Sequence, residues 1–233
     1  MTRRPAHRER IAQALGPNAW FRQRPPELQG KLIEHAQVST VEAGRWIYDK
    51  GDEAHGLYGV LTGSVTMLVR LDDGADVPVN VAGPGTIFGY AAQVLGGRRV
   101  ATAIAREQSE IIFVPQHALS SIAREFPSLW LHFAELATDQ LTWAVRIIAE
   151  RTRLSPRARF ASGLYSYSLA WPTTGGKTVL PLRQDELAEL AGLSRKTVNG
   201  FLREFEKLDL VALGYREIEI RDAGALRQIA RQK

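Results

Sequence analysis

With 233 residues, 45% of them hydrophobic and 24% charged, the chain has the composition of a soluble globular protein of one large or two small domains. It contains no cysteine, which excludes disulfides, Cys-ligated zinc and Cys-ligated iron–sulfur clusters. The net charge of +5 is unevenly placed, with 13 basic residues against nine acids over 155–233 but 11 against 15 over 25–154, so phosphates are expected to meet the C-terminal part.

The opening decapeptide MTRRPAHRER is basic but lacks the apolar stretch of a signal peptide. No apolar run approaches the roughly 20 residues that span a bilayer, so no membrane partner is expected and a cytoplasmic location follows. From about residue 38 to 115, short apolar strands alternate with glycine turns. Strands are expected at 46–48, 56–61, 65–69, 77–81, 100–105 and 110–114, separated by turns such as Lys50-Gly51-Asp52, Asp72-Asp73-Gly74 and Gly83-Pro84-Gly85. Such spacing predicts an antiparallel sandwich or barrel. With an N-terminal helical segment it makes up a sensor domain over 1–125. The segment has no Gly-rich nucleotide loop, serine elbow or paired metal-ligand spacing. His35, His55 and His117 are far apart in unlike contexts, so neither an enzyme nor a metal site is expected.

A long helix is expected from Pro127 to about Arg153, with the proline in its first turn and Ser155-Pro156 closing it. It carries two apolar seams. Trp130, Ala134, Ala137, Leu141, Ala144 and Ile148 follow the 4-3 spacing of a helix that pairs with another. Leu129, Phe133, Leu136, Trp143 and Ile147 form a second stripe beside it. One stripe suffices for packing on the helix's own domain, so the other predicts a homodimer through a segment over 126–154.

The third segment, 155–233, begins with a helix over 157–171, a polar Thr173-Thr174-Gly175-Gly176 turn and a strand over 178–182. Residues 183–207, RQDELAELAGLSRKTVNGFLREFEK, then read as helix, tight turn, helix. Leu187, Leu190 and Ala191 form the apolar stripe of the first helix, Gly192 breaks it, and Ser194 caps the next. Val198, Leu202 and Phe205 make the buried face of the second helix. Arg195, Asn199 and Arg203, with Lys196 beside them, make another face, of the types that read base edges or hold phosphates. A hairpin follows, 210–213 and 217–220 around Gly214-Tyr215, and has the form of the wing of a winged helix. Asp222 caps a last helix whose apolar side is Leu226 and Ile229.

In this order, a glycine-punctuated roll, a long helix and a winged helix, the chain resembles the bacterial catabolite-activator and fumarate–nitrate regulator (Crp/Fnr) superfamily. The likeness runs from Trp20 almost to the end. Its most specific pieces are Lys50-Gly51-Asp52, Leu57 to Val65, Gly83-Pro84-Gly85 with Phe88-Gly89, and Glu186-Leu187-Ala188 through Leu193 to Val198. The resemblance implies an α+β fold: an antiparallel β-roll like a cyclic-nucleotide-binding jelly roll, a dimerisation helix and a winged helix-turn-helix. It also implies a dimeric transcription regulator on a roughly palindromic double-stranded DNA site, with RNA polymerase as a further partner. Arg195 and Lys196 match base-reading positions and Asn199 one a turn further on, while Gly200 replaces a third base-reading arginine. Gln184 and Ser194, at helix N-termini, are expected to hold phosphates, with Thr197, Arg203 and Arg216 completing that set.

The resemblance also implies an effector pocket after Phe88-Gly89, where members that bind cyclic AMP use a glutamate, an Arg-Ser pair and two hydroxyl residues on the long helix. Here those positions hold Tyr90, Arg99 (or Arg98), Val100, Ala144 and Val145. Only the arginine survives. Each ribose or phosphate group buried without its partner costs about 1–3 kcal/mol, so cyclic AMP in the usual pose is not expected. Iron–sulfur sensing needs absent cysteines, and no histidine sits in the context that haem-sensing members use. The expectation is a regulator that is effector-independent or that answers an unidentified, less polar ligand. One alternative is a cyclic-nucleotide-responsive regulator. Another is a cyclic-nucleotide-binding module of an enzyme system, which predicts an intact cassette beside a degraded recognition helix, the reverse of this sequence.

Overall fold

Three helices, α1 (Arg3–Leu15), α2 (Ala19–Arg22) and α3 (Pro26–His35), lead into the strands in a computed structural model that describes every residue except 1–2, 54, 96, 172, 175–176 and 233. Asn18 caps α2 by accepting the Phe21 N–H, and a proline opens α3, where its missing N–H costs nothing. The strands are β1 (Gln37–Val41), β2 (Trp46–Tyr48), β3 (Gly56–Thr62), β4 (Val65–Arg70), β5 (Asp76–Ala82) and β6 (Ile87–Phe88). After α4 (Ala91–Leu95) come β7 (Thr102–Ala105) and β8 (Ser109–Pro115), and α5 (Gln116–Glu125) closes the set. They form two four-stranded antiparallel sheets, ordered β1-β8-β3-β6 and β2-β7-β4-β5. This is the jelly-roll part of an α+β fold.

The period of β3 shows how the layers arise. Leu57 and Leu61 face one way and join a core with Ile11, Leu15, Trp20, Phe21 and Leu119, so the N-terminal helices and α5 cover one sheet. Tyr58 and Val60 face the other way, toward Val65, Met67, Phe88, Ala103 and Ile111 between the sheets. Truncating Leu119, which is 0% exposed, to alanine removes one anchor of the first layer at about 2–5 kcal/mol.

The long helix α6 runs Leu129–Arg153, roughly 37 Å at 1.5 Å per residue. Pro127 is not in its first turn, contrary to the sequence expectation. Phe126 ends α5 by donating its N–H to Ile122 O, Leu129 N–H returns to Phe126 O, and His132 N–H reaches Ser128 O, so the proline occupies the turn ahead of the helix. Leu129 and Phe133 are fully buried, and Trp20 stacks on Phe133 at 5.9 Å while its indole N–H donates to His132 O at 2.7 Å. The other seam is open: Trp130 is 38% exposed, Leu141 and Ile148 are 64% exposed, and Ala134, Ala137 and Ala144 are half-buried.

The chain divides into two compact units, Met1–Leu141 and Thr142–Lys233. In the second, α7 (Pro156–Ala170) is capped by Ser155 and followed by β9 (Thr173–Thr174), β10 (Lys177–Leu180), α8 (Gln184–Ala191), α9 (Arg195–Lys207), β11 (Val211–Gly214), β12 (Glu217–Ile220) and α10 (Ala223–Ala230). The sheet order is β11-β12-β10-β9. The glycines of the expected 173–176 turn lie outside the described residues. Several strand limits differ from the sequence reading. β7 starts at Thr102 rather than Val100, and β10 stops at Leu180. β11 starts after Leu210, whose carbonyl accepts the N–H of both Arg221 and Asp222 instead of a ladder bond. Among the described residues no helix is long and apolar enough to cross a membrane.

Candidate nucleic-acid interface and ligand pocket

Helix α9 is placed by its apolar face. Val198, Leu202 and Phe205 are each 0% exposed, and Phe205 stacks on Phe160 of α7 at 6.1 Å. The turn before it is closed by backbone geometry. Gly192 sits at φ 62°, ψ 42°, the left-handed region that favours glycine, and Leu193 N–H reaches back to Ala188 O at 2.9 Å. Ser194 then caps α9 by accepting the Thr197 N–H at 3.1 Å. These contacts leave Arg195, Lys196 and Arg203 pointing into solvent. Asn199 differs from the expectation: it is half-buried, and its Oδ1 is enclosed without a hydrogen-bond partner.

Basic residues of this unit differ in whether an acid neutralises them. Arg157 pairs with Glu204, Lys177 with Glu219, Arg183 with Asp185 and Arg221 with Asp209. Arg195, Lys196, Arg203 and Arg216 make no such pair among the described residues. A groove of about 330 Å³ joins the start of α8 to the β11–β12 hairpin and is lined by Arg183, Gln184, Arg195, Tyr215 and Arg216 among others. Arg216 turns at φ 62°, and Tyr215 beside it is 90% exposed. Asp185 also lines the groove. Burial alone would raise its pKa, but backbone N–H donors at the start of α8 and the Arg183 guanidinium hold it below the usual carboxylate value. Sequence reasoning passed over Arg183 and Tyr215. An exposed aromatic next to a glycine at a hairpin tip was the available signal for the second.

In the roll, the two arginine candidates separate cleanly. Arg98 is exposed and donates to Gly51 O at 2.9 Å. Arg99 turns inward and is 3% exposed, donating from Nη1 to Gly89 O at 2.6 Å and from Nη2 to Gly56 O at 2.8 Å. Val100 turns out again and is 59% exposed. The guanidinium lies over Tyr48 at 4.5 Å and Tyr58 at 5.1 Å, and these rings pack with Phe88 and Phe113. Burial pushes the Tyr48 hydroxyl up to about 12 against the opposing pull of Arg99, and raises Tyr58 likewise. Neither aromatic wall was assigned a role from sequence. Tyr90 follows Gly89 and donates its hydroxyl to Gln140 of α6 at 3.3 Å; burial, then the nearby Asp139 charge, raises it to about 12. Ala144 and Val145 belong to the second unit. His35, His55 and His117 are exposed, and among the described residues no group of three His, Asp or Glu side chains is placed to hold a metal ion.

Comparison with known proteins gives both halves a counterpart. Residues 38–126 match the cyclic nucleotide-binding domain, and residues 158–229 match the Crp-like helix-turn-helix domain. The chain is 28% identical over 205 residues to the cyclic AMP receptor protein of Thermus thermophilus, covering 88% of this chain and 93% of that one. It is 25% identical to the transcriptional regulatory protein btr of Bordetella pertussis, covering 83% and 81%. Among solved structures, FixK2 from Bradyrhizobium japonicum superposes with a TM-score of 0.74 at 21% identity, over 85% of this chain and 98% of that one, a likeness of fold.

Proposed function

This chain belongs to the Crp/Fnr superfamily of DNA-binding transcription regulators, and on that premise we propose that it acts as a cytoplasmic homodimer on a roughly palindromic duplex site. Each protomer lays α9 in a major groove, the two grooves about one helical turn apart. The observation that carries this is the division of α9. Its apolar face is wholly buried, while Arg195, Lys196 and Arg203 stand exposed with no ion pair among the described residues, and Arg195 lines the groove that reaches Arg216. Arg195 and Lys196 read bases, with Asn199 turning to join them on contact. Gln184, Ser194, Thr197, Arg203 and Arg216 hold phosphates. The open seam of α6 supports the dimer, since Leu141 and Ile148 on a lone protomer are large apolar side chains left in water. RNA polymerase is the further partner of such a regulator, and the reading assigns no enzymatic activity.

The roll, on this reading, does not respond to cyclic AMP. The fork of Arg99 is already engaged by two carbonyls, and a tyrosine stands at position 90. Selection of binding sites from random duplexes, with and without a cell metabolite extract, tests both parts. A two-fold-symmetric motif recovered without extract is expected. Recovery of no motif under either condition would overturn the DNA reading. Likeness to a cyclic AMP receptor protein favours the second reading, a cyclic-nucleotide-responsive regulator. That reading requires millimolar cyclic AMP to raise Tm or tighten DNA binding. A ligand at 100 times its Kd stabilises by about 2.7 kcal/mol, which a melting curve resolves.

A further inference from the structure

The interior of the roll holds a positive charge with no negative partner. Arg99 is 3% exposed, and among the described residues no carboxylate pairs with it. A buried guanidinium ordinarily offsets its desolvation with a carboxylate or phosphate. Here its surroundings are two backbone carbonyl oxygens, Gly89 O and Gly56 O, and the faces of Tyr48 and Tyr58. All four are electron-rich. Together they make a receptor for a flat cation, and the same oxygens would repel an anion.

The local backbone is shaped for that cation. Gly89 stands at φ 82°, and a Cβ there would lie 2.7 Å from Arg99 Nη1 and 3.0 Å from the Tyr58 ring. Only glycine lets the guanidinium reach this carbonyl. Gly56 O takes a second bond, from Gln93 Nε2 of α4 at 3.0 Å. One oxygen at the start of β3 therefore holds both α4 and Arg99. Each terminal nitrogen of the fork makes one bond to a carbonyl, whereas Arg99 Nε is enclosed without a partner. An anion that displaced both carbonyls from the fork would have to break two charge-assisted bonds.

We propose that the roll contains a cation box whose ligand is the guanidinium of the chain's own Arg99, so that Gly89 and Arg99 are held together with no small molecule bound. The box takes the place of an effector: it ties Arg99 to Gly89, to Tyr48 of β2 and to Gly56 of β3. The inference rests on the reading that the roll does not answer cyclic AMP, and gives that reading a structural cause.

Arg99→Ala in the full-length protein empties the box. Tm is expected to fall by roughly 5 °C or more, and millimolar methylguanidinium should recover at least half of the loss while leaving the wild type unchanged. Sodium chloride at the same concentration should recover none of it. Arg99→Lys should be restored only in part, because an ammonium is a point charge without the fork. A mutant that melts with the wild type, or one indifferent to methylguanidinium, overturns the proposal. Should Arg99→Ala not fold, the walls supply the test. Tyr48→Phe keeps the ring face and should melt near the wild type, whereas Tyr48→Leu should melt clearly lower; equal melting of the two overturns the box. Cyclic AMP and inorganic phosphate form the last arm. A wild-type shift that disappears in Arg99→Ala overturns the box by making Arg99 an anion clamp. A cyclic AMP shift that persists in Arg99→Ala leaves the box standing and overturns the unresponsive reading instead.

Discussion

Replacing Arg195 with alanine separates recognition from folding more sharply than any other change in the second unit. Arg195 is the first residue of α9, is exposed and has no bond to another described residue. A cation in the first turn faces the positive end of the helix dipole, which costs about 0.3–1 kcal/mol. Lys196 adds a second cation in the same turn, and α9 has no acid in its first turn. Two unpaired cations at the wrong end of a helix make sense only if a negative partner arrives from outside. The folded state should therefore lose nothing on Arg195→Ala, and Tm should stay level or rise slightly. Affinity for the selected duplex should fall by about 1–3 kcal/mol, or roughly 5- to 150-fold, with preference relaxed at one half-site position. Affinity for random duplex should fall far less. Fluorescence anisotropy titrations of both duplexes at one fixed salt concentration give the ratio directly. An unchanged ratio of specific to random affinity would show that Arg195 is not a base reader. A large fall in Tm would show that it holds the fold.

Three further outcomes follow from the geometry. Ala137→Glu places like charges across the seam of α6, which is strongly unfavourable without a partner; sedimentation should show a monomer or a much weaker dimer, and a tight dimer would move the interface elsewhere. Gly89→Ala sets a side chain at φ 82° and drives its Cβ to 2.7 Å from Arg99, so Tm should drop by several degrees for a cost of about 1–3 kcal/mol, and a neutral result would mean the turn relaxes freely. Tyr48 and Tyr90, at about 12 in the folded protein against an ordinary 10, favour the neutral phenol; their contribution is intact below pH 10 and lost as pH rises toward 12, so tyrosinate absorbance should rise in an early and a late stage. Tyr90→Phe should shrink the late stage, and a single stage near pH 10 would refute the burial argument.

What was legible in the sequence followed from periodicity and from residues whose backbone role is strict. Val198, Leu202 and Phe205 announced the buried face of α9, and Gly192 followed by Ser194 announced the left-handed break and the cap, because few other residues do either task cheaply. The stripe of Leu129 and Phe133 was equally plain. Pro127 misled because a proline suits both a first helical turn and the turn ahead of one; the choice was made by Phe126, whose N–H was needed to finish α5. Asn199 shares a spacing with Arg195, but spacing does not say how far a short side chain clears its neighbours, and this one is half-enclosed.

The pocket shows the limit most clearly. That an arginine follows the Phe88-Gly89 turn was visible, and so was the loss of the groups that elsewhere accompany it. Where its donors go was not visible, because both acceptors are backbone oxygens, 10 and 43 residues away. A carbonyl has no letter of its own in a sequence. Gly89 O accepts Arg99 only because the chain turns through φ 82° there, and Gly56 O only because β3 begins at that residue. The two tyrosines that complete the box were read as strand residues, which they are. Alternation along β2 and β3 is what turns both inward, so the sign of this pocket is a property of register between strands. Composition suggests a site for something less polar than a nucleotide, whereas the assembled lining selects a cation and already has one.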